Sequence, residues 1–417
     1  MSAMKFSELG LSQDLLQSVE FAGYLQPTDI QARVIPLILK GQDVIAESKT
    51  GTGKTAGFVL PVLQLLQESP AEKTRTIKAL ILAPTRELAM QVNAAIKVFA
   101  RNLSKPLGSV LLIGGSNIDV QLRSLIHGND IVVATPGRLL DAASRQKIDF
   151  RLLKFLVIDE ADKMFDLGFA EELEAVFKLL PDKRQNLLFS ATIDEKLRAL
   201  VERLMTQAAH VKIEAAIPTV ESICQRAITA NRANRGPLLR HLIRAENWQD
   251  VLIFVASVRA ADILVVKLNK ANIQAQAFHG GLTQAKRTEV LQNFKDKKIN
   301  VLVATDLAAR GIDIDKLAYV VNYDLPRSSE DYIHRIGRTA RAGRTGTAVS
   351  FIGHEDRAHF ELIEKRIRMR IPRESVNGFE LTGEALPVLK GQAPVKGLRM
   401  SKKDKARAAA KKEGACG

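Results

Sequence analysis

The stretch Ser48-Lys-Thr-Gly-Thr-Gly-Lys-Thr55 follows a short apolar run, Val44-Ile-Ala46. A glycine-rich turn between a strand and a helix leaves backbone N–H groups free to point at phosphate oxygens. The helix expected to open at Lys54 adds its positive N-terminal end. In that arrangement the Lys54 ammonium reaches terminal phosphates and the Thr55 hydroxyl holds Mg²⁺. Ser48 stands where the strict pattern has a glycine. Alone, the stretch also reads as an ordinary strand–turn–helix connection.

Two further clusters bear on that reading. Asp159-Glu-Ala-Asp162 comes directly after the apolar Leu156-Val-Ile158. A carboxylate at a strand end holds Mg²⁺, and its neighbour orients or deprotonates an attacking water; Asp159 and Glu160 take those roles. The bland alternative is a solvated, acid-rich helix N-terminus. Acids after a buried strand, in a chain with a phosphate loop, favour a two-part nucleotide site. The run from His334 to Arg344 is dense in arginine, with Arg335, Arg338 and Arg341 recurring every three residues. A helix would show them along one side, and a planar guanidinium suits a developing phosphoryl charge. By itself such a run is equally a solvated basic face or a nucleic-acid patch. Gln31 is an exposed helix residue or, as a carboxamide with donor and acceptor, a reader of an adenine edge.

The elements that must position these groups alternate. A helix over Ser12 to Phe21 precedes a second one with Pro27 in its first turn and Thr28 as cap. Apolar runs at Ala79–Ala83, Val110–Ile113, Asp130–Ala134, Phe155–Asp159 and Asn186–Ser190 read as buried parallel strands, each followed by a polar loop. The pattern loosens from His210 to Thr229, then restarts at Val251–Val255, Gln274–Phe278, Asn300–Ala304 and Leu317–Val321. Strands alternating with helices imply parallel sheets with functional loops at the strands' C-terminal ends. The second α/β unit lacks a phosphate loop, so it completes a site instead of owning one.

Composition sets the bounds. At 417 residues, with 46% apolar and 26% charged, the chain reads as a globular protein of two domains and a tail. Its two cysteines, Cys224 and Cys416, indicate neither a disulfide framework nor a zinc site and fit a reducing compartment. No run is long and apolar enough to span a bilayer, and the first residues lack a signal-peptide core. The net charge of +15 favours a polyanion partner. Aromatics make up only 5%, so backbone contacts suit that partner better than stacked bases. The segment from Val376 to Gly417 carries nine basic and four acidic residues. Within it, Lys396 to Lys412 reads as a disordered RNA-tracking tail or a solubilising terminus.

With these residues in order, the chain closely resembles the DEAD-box family of ATP-dependent RNA helicases, from Phe6 to about Arg370. The resemblance implies two tandem RecA-like parallel-sheet domains: 1–212, binding ATP, then a linker over 213–222, a second domain over 223–370 and a basic, disordered tail over 371–417. It implies that Phe6 stacks on adenine and Gln31 reads its edge. Ser48, Thr50, Gly51, Thr52, Gly53, Lys54 and Thr55 would cradle the phosphates, with Thr55 and Asp159 holding Mg²⁺. Pro84-Thr85-Arg86, Gly114-Gly115 and Thr135-Pro136-Gly137-Arg138 would meet RNA in the first domain. Gly280, Arg287 and Thr305 would do so in the second. Ser190-Ala-Thr192 would couple hydrolysis to strand separation, and Gly311 and Asp313 would approach the nucleotide from across the cleft. Lys54, Asp159, Glu160, Arg338 and Arg341 would be catalytic, with Arg341 as the arginine finger. Ala340 replaces a glycine common in that motif.

The implied cycle closes the lobes on ATP–Mg²⁺ and single-stranded RNA, each raising affinity for the other. Short duplexes would be melted locally or RNA–protein complexes remodelled, with little sequence preference. The resemblance points to a cytoplasmic, monomeric, bacterial protein, with ribosomal precursors or an RNA-decay complex as partners. An RNA clamp, a DNA helicase and an ATPase acting on proteins are the rival readings.

Overall fold

The computed structural model describes residues 4–48, 51–69, 76–126, 128–145, 148–205, 207–213, 223–309, 317–339 and 346–383. Thr50, Gly311, Asp313, Arg341, the linker beyond 213 and the tail beyond 383 therefore lie outside the described residues.

In the first lobe a single 3₁₀ turn, Phe6–Leu9, and helices α1 (Gln13–Phe21) and α2 (Asp29–Leu39) precede the sheet. Its strands are β1 (Val44–Glu47), β2 (Ala79–Leu82), β3 (Ser109–Leu112), β4 (Ile131–Ala134), β5 (Phe155–Ile158), β6 (Gln185–Ser190) and β7 (Ala209–Lys212). Between them run α3 (Lys54–Gln67), α4 (Arg86–Phe99), α5 (Ile118–Ile126), α6 (Pro136–Arg145), α7 (Ala161–Asp166), α8 (Ala170–Phe177) and α9 (Glu195–Leu204). Every residue of β2, β4 and β5 is buried, as apolar runs covered on both faces must be.

The second lobe repeats the plan. Its strands are β8 (Ile223–Thr229), β9 (Val251–Phe254), β10 (Ala275–Phe278), β11 (Val301–Ala304), β12 (Tyr319–Asn322), β13 (Gly346–Ile352) and β14 (Arg373–Glu374). The helices are α10 (Arg235–Ala245), α11 (Val258–Asn269), α12 (Gln284–Lys295), α13 (Asp306–Ala309), α14 (Ser329–Ile336) and α15 (Arg357–Ile367). Side-chain oxygens of Ser257, Thr283 and Ser328 accept from backbone N–H groups in the first turns of α11, α12 and α14, fixing where each helix starts.

Both sheets are parallel, in the orders β3-β4-β2-β5-β6-β1-β7 and β10-β11-β9-β12-β13-β8-β14. This order sorts the loops. In the first lobe β3, β4 and β2 carry the segments expected to meet RNA, while β5, β6 and β1 carry the acids, Ser190 and the phosphate loop. In the chain β2, β3 and β4 separate β1 from β5 and β6; in the sheet β1 is returned to the side of β6.

Four expectations need correction. Pro27 precedes the cap Thr28 and lies outside the first turn of α2. The stretch from His210 to Thr229 contains the edge strand β7 and also β8, which lies between β13 and β14; the mixed burial of both lacks a run of apolar residues. The second lobe also passes its expected end at residue 370. Strand β14 pairs with β8, and Val376 and Phe379 pack on the core. Finally, α14 stops at Ile336, so Arg338 lies in the turn after the helix and shares no helical face with Arg335.

The lobes have separate cores. Phe351 and the protein's one tryptophan, Trp248, are buried together in the second, whereas Phe58 packs on Phe189 at 5.0 Å in the first. Replacing Phe351 by Ala is expected to destabilise the second lobe by about 3–5 kcal/mol. The check is a fall in the urea midpoint followed by Trp248 fluorescence; Phe58→Ala should leave that transition in place.

Candidate functional site

The phosphate loop connects β1 to α3. Gly53, with φ 87°, is the N-cap of α3. Such a positive φ favours glycine. The loop is also held from outside: Gln31 Nε2 donates to Gly53 O at 3.0 Å, and Gln31 Oε1 accepts from Thr28 N at 2.9 Å. A Cβ on Gly53 would lie 2.4 Å from Gln31 Nε2. Gln31, fully buried, thus clamps the loop to α2, and keeps one amide hydrogen and one lone pair unused. Phe6 is buried in the first lobe's core with its edge to Tyr24, the centroids 6.4 Å apart. Ser48 Oγ and Thr52 Oγ1 share a hydrogen bond of 3.0 Å. Gly51 and Thr55 flank Gly53-Lys54 in the same turn and first helical residues.

Lys54 Nζ donates to Ser48 O at 2.7 Å and is buried. Burial lowers its pKa, and the carboxylates of Asp159, Glu160 and Asp162 resist that shift. Asp159 and Glu160 are 2% and 5% exposed, too little for water to neutralise two adjacent negative charges. The Asp159 carboxyl is pushed up to about 7 by burial and by the charge on Glu160. Burial also works to raise Glu160, but Lys163, Lys54 and Arg338 outweigh it and hold that carboxyl below its ordinary value. Glu160 Oε1 pairs with Lys163 Nζ at 2.7 Å, while Oε2 is buried with no partner. Glu160 also has φ 50° and ψ 52°. A left-handed conformation costs a non-glycine residue roughly 1–2 kcal/mol. Two buried carboxylates, one oxygen unpartnered, close to Lys54 in the first turn of α3, form an oxygen donor set that fits Mg²⁺ bound together with phosphates.

The second lobe reaches this cluster through Arg338, 9% exposed, whose charge bears on Glu160. His334 follows it: burial lowers its pKa, with Lys163 acting in the same direction and Asp162 against. Arg335 turns inward instead. Its guanidinium forks onto Asp306 at 2.6 and 2.7 Å and donates to Asn322 Oδ1 and Asp324 O.

Asp162 has a role its sequence position did not declare. Its Oδ2 accepts from Ala191 N at 3.2 Å and Thr192 Oγ1 at 3.4 Å. Ser190 Oγ accepts from Asp162 N at 3.2 Å and donates to Thr192 O at 2.6 Å. The acidic segment and Ser190–Thr192 are therefore tied together by hydrogen bonds. The only advance signal was a third carboxylate in the segment, three residues after Asp159.

At the other end of the sheet, Pro84 and the cap Thr85 lead into α4, whose first residue is Arg86. The Arg86 guanidinium lies against bare backbone: a Cβ on Gly115 would sit 2.2 Å from Nη1. Thr135 precedes Pro136, the first residue of α6, and Gly137 opens onto empty space. Two helix N-termini thus face the same edge, each with unpaired N–H groups suited to phosphate. Arg138 differs from the sequence expectation. It donates to Ile113 O at 2.9 Å, to Asp141 at 3.0 Å and to Ser116 O, so it braces the Gly114–Gly115 loop. In the second lobe Gly280 is exposed and Thr305 half-buried on neighbouring strand ends. Arg287 is buried and crosses between lobes: Nη2 pairs with Glu87 at 2.9 Å, and Gln284 Nε2 donates to the other Glu87 oxygen at 3.0 Å. Glu87 and Gln284 were missed, because a helical acid and a helical amide carry no signal until the lobes meet.

The family profile described as DEAD/DEAH box helicase matches residues 28–200, and that described as helicase conserved C-terminal domain matches 235–343. The chain is 40% identical over 367 residues to the ATP-dependent RNA helicase CshA of Listeria monocytogenes, covering 88% of this chain and 69% of that one. It is 39% identical to the DEAD-box ATP-dependent RNA helicase CshA of Bacillus subtilis, covering 88% and 73%. Among solved structures it is similar to S. cerevisiae Dbp5 bound to RNA and ADP BeF3, with a TM-score of 0.77 and 31% identity over 89% and 96% of the chains. Mss116p bound to ssRNA and AMP-PNP gives a TM-score of 0.78 and 30% identity over 89% and 78%.

The clamp on the phosphate loop can be tested directly. Gly53→Ala should weaken ATP binding at least about tenfold, since it forces a left-handed φ on alanine and drives Cβ into Gln31. Adding Gln31→Ala should recover only part of that loss in nucleotide titrations, because the backbone cost remains.

Proposed function

This chain belongs to the DEAD/DEAH box helicase family and is an ATP-dependent RNA helicase; we propose that its lobes share one nucleotide pocket that is completed only when they close. The observation that carries this reading is the meeting of charges at Glu160, where Lys54 and Lys163 of one lobe and Arg338 of the other act on a single buried carboxylate. Dbp5 and Mss116p each hold RNA together with a nucleotide analogue, and we carry both ligands to this chain.

In this mechanism Lys54 leaves Ser48 O and binds the terminal phosphates, with Ser48, Thr50, Gly51, Thr52 and Gly53 lining the loop. Phe6 and Gln31 meet the adenine, Gln31 with its spare N–H and lone pair. Thr55 and Asp159 hold Mg²⁺, which when bound neutralises phosphate charge and favours displacement of the terminal phosphoryl group. Glu160 accepts a hydrogen bond from the attacking water through Oε2. Arg338 stabilises the transferring phosphoryl group from across the cleft. Arg341, Gly311 and Asp313 join it in the same role by their place in the motif.

RNA runs over the other half of the edge, against the α4 and α6 N-termini, Gly115, Gly280 and Thr305. Contacts there are to backbone phosphates and sugars, so recognition is independent of sequence. Glu87, Arg287 and Gln284 hold the lobes together along that track, and Asp162 links nucleotide to RNA through Ser190 and Thr192. The outcome is local opening of short duplexes, or remodelling of RNA–protein complexes, by a cytoplasmic monomer. Among the described residues no helix is long and apolar enough to cross a membrane.

Glu160→Gln should lower ATP turnover by about 10²-fold or more while ATP and RNA still bind, because the amide cannot take a proton. Normal turnover would remove the assigned role. Arg338→Lys should reduce RNA-stimulated turnover by about 10³-fold in steady-state assays, with ATP affinity changed far less.

A further inference from the structure

The second lobe's sheet separates two surfaces. Helices α12 and α14, which meet the first lobe, pack on one face with the cores around Val290 and Tyr332. Helices α10 and α11 cover the other face, around Leu239 and Leu264. Between α10 and α11 runs a groove of about 530 Å³, remote from the shared cleft.

Its charge is one-sided. Arg232, Arg240, Lys267 and Lys270 line it together with Tyr323, and no Asp or Glu does. Arg232, Lys267 and Lys270 are exposed, Arg240 is half-buried, and none of the four makes an ion pair among the described residues. Arg235, three residues after Arg232, shows the contrast: it is buried and paired with Asp324, Glu355 and Asp356. Fold stability does not ask for this arrangement. Lys267 and Lys270 suit the C-terminal end of α11, but Arg232 sits before the N-terminus of α10, where a cation opposes the helix dipole. Four like charges around one trough also repel each other.

Next to the groove, Arg244 continues the basic surface along α10 from Arg240. The last described residues come near the start of α10. Asn231 Nδ2, next to Arg232, donates to Thr382 Oγ1 at 2.8 Å. From residue 384 the sequence carries nine Lys or Arg and three Asp or Glu.

We propose that the α10–α11 groove is a second RNA-backbone site, which holds phosphates of RNA flanking the segment clamped between the lobes. It rests on the reading of RNA as the substrate. Long cationic side chains around an open trough suit a string of phosphates recognised without sequence. A protein partner would call for a deep apolar anchor, and the lining offers only small apolar groups beside one tyrosine. The site would keep a large RNA attached while the cleft opens and closes on short stretches of it.

The test uses the full chain with Arg232→Gln, Arg240→Gln, Lys267→Gln and Lys270→Gln together. Two probes are compared: a single-stranded oligonucleotide just long enough to span both lobes, and the same strand with a duplex extension. For the extended RNA, the slope of log affinity against log salt should flatten by about 3, with binding at low salt at least tenfold weaker. The short strand should bind and stimulate ATP turnover as before. Lys267→Arg with Lys270→Arg should retain the steep slope. An unchanged slope on extended RNA overturns the proposal, as does an equal loss on both probes. So does a variant that keeps extended RNA but no longer binds poly-glutamate. Failure of the short strand to stimulate the unmodified protein would instead strike at the RNA reading itself.

Discussion

Two neighbouring carboxylates buried at the end of a strand set the terms for the rest of this protein. Asp159 and Glu160 are each almost out of reach of water, and their repulsion inside the fold must be met by cations. Lys54 comes from the phosphate loop, Lys163 from the next helical turn and Arg338 from the other lobe. An acidic pair held this way attracts whatever positive charge can be brought in, including a metal carried with phosphates. Closing the lobes is therefore favourable electrostatics as well as surface burial. The strained backbone at Glu160 is stabilised by the same surroundings: β5 fixes it from one side and α7 from the other.

Strand order then decides what each end of the cleft can do. Placing β5, β6 and β1 side by side gathers the acids, Ser190 and the phosphate loop into one pocket. Placing β3, β4 and β2 side by side lines up two helix N-termini and a glycine pair into a separate track. Asp162 joins the pocket to its neighbour through hydrogen bonds of 3.2 Å to Ser190 and Ala191. Glu87 and Arg287 close the second track across the lobes. A buried ion pair of this kind adds little net stability, since desolvation cancels much of the attraction. Its value lies in geometry, because neither charge is satisfied unless the lobes meet in one register.

The arginines divide by the same logic. Arg335 and Arg138 were expected to face a ligand, yet their guanidinium groups are consumed inside their own lobes by Asp306 and by the Ile113 and Ser116 carbonyls. They make rigid loops that present other groups. Arg338 stands just past the helix end, where the backbone can aim it across the cleft. Around α10 the pattern inverts: Arg235 is buried and paired with Asp324, Glu355 and Asp356, while Arg232 is exposed and Arg240 half-buried.

Local chemistry was legible in the residues alone. Glycines before Lys54, acids after an apolar run and buried strands alternating with helices are short-range patterns, and each survived folding because backbone geometry enforces it within a few residues. The edge strands β7 and β14, and β8 beside β14, escaped notice because their polar, half-exposed sides carry no apolar run. The tertiary structure alone decided which loops share a pocket, which arginines are spent indoors, that Gln31 grips Gly53, and that Glu87 finds Arg287 in the other lobe. Those pairings join residues far apart in the chain, and only the packing of two separate sheets fixes the distances over which charges and hydrogen bonds act.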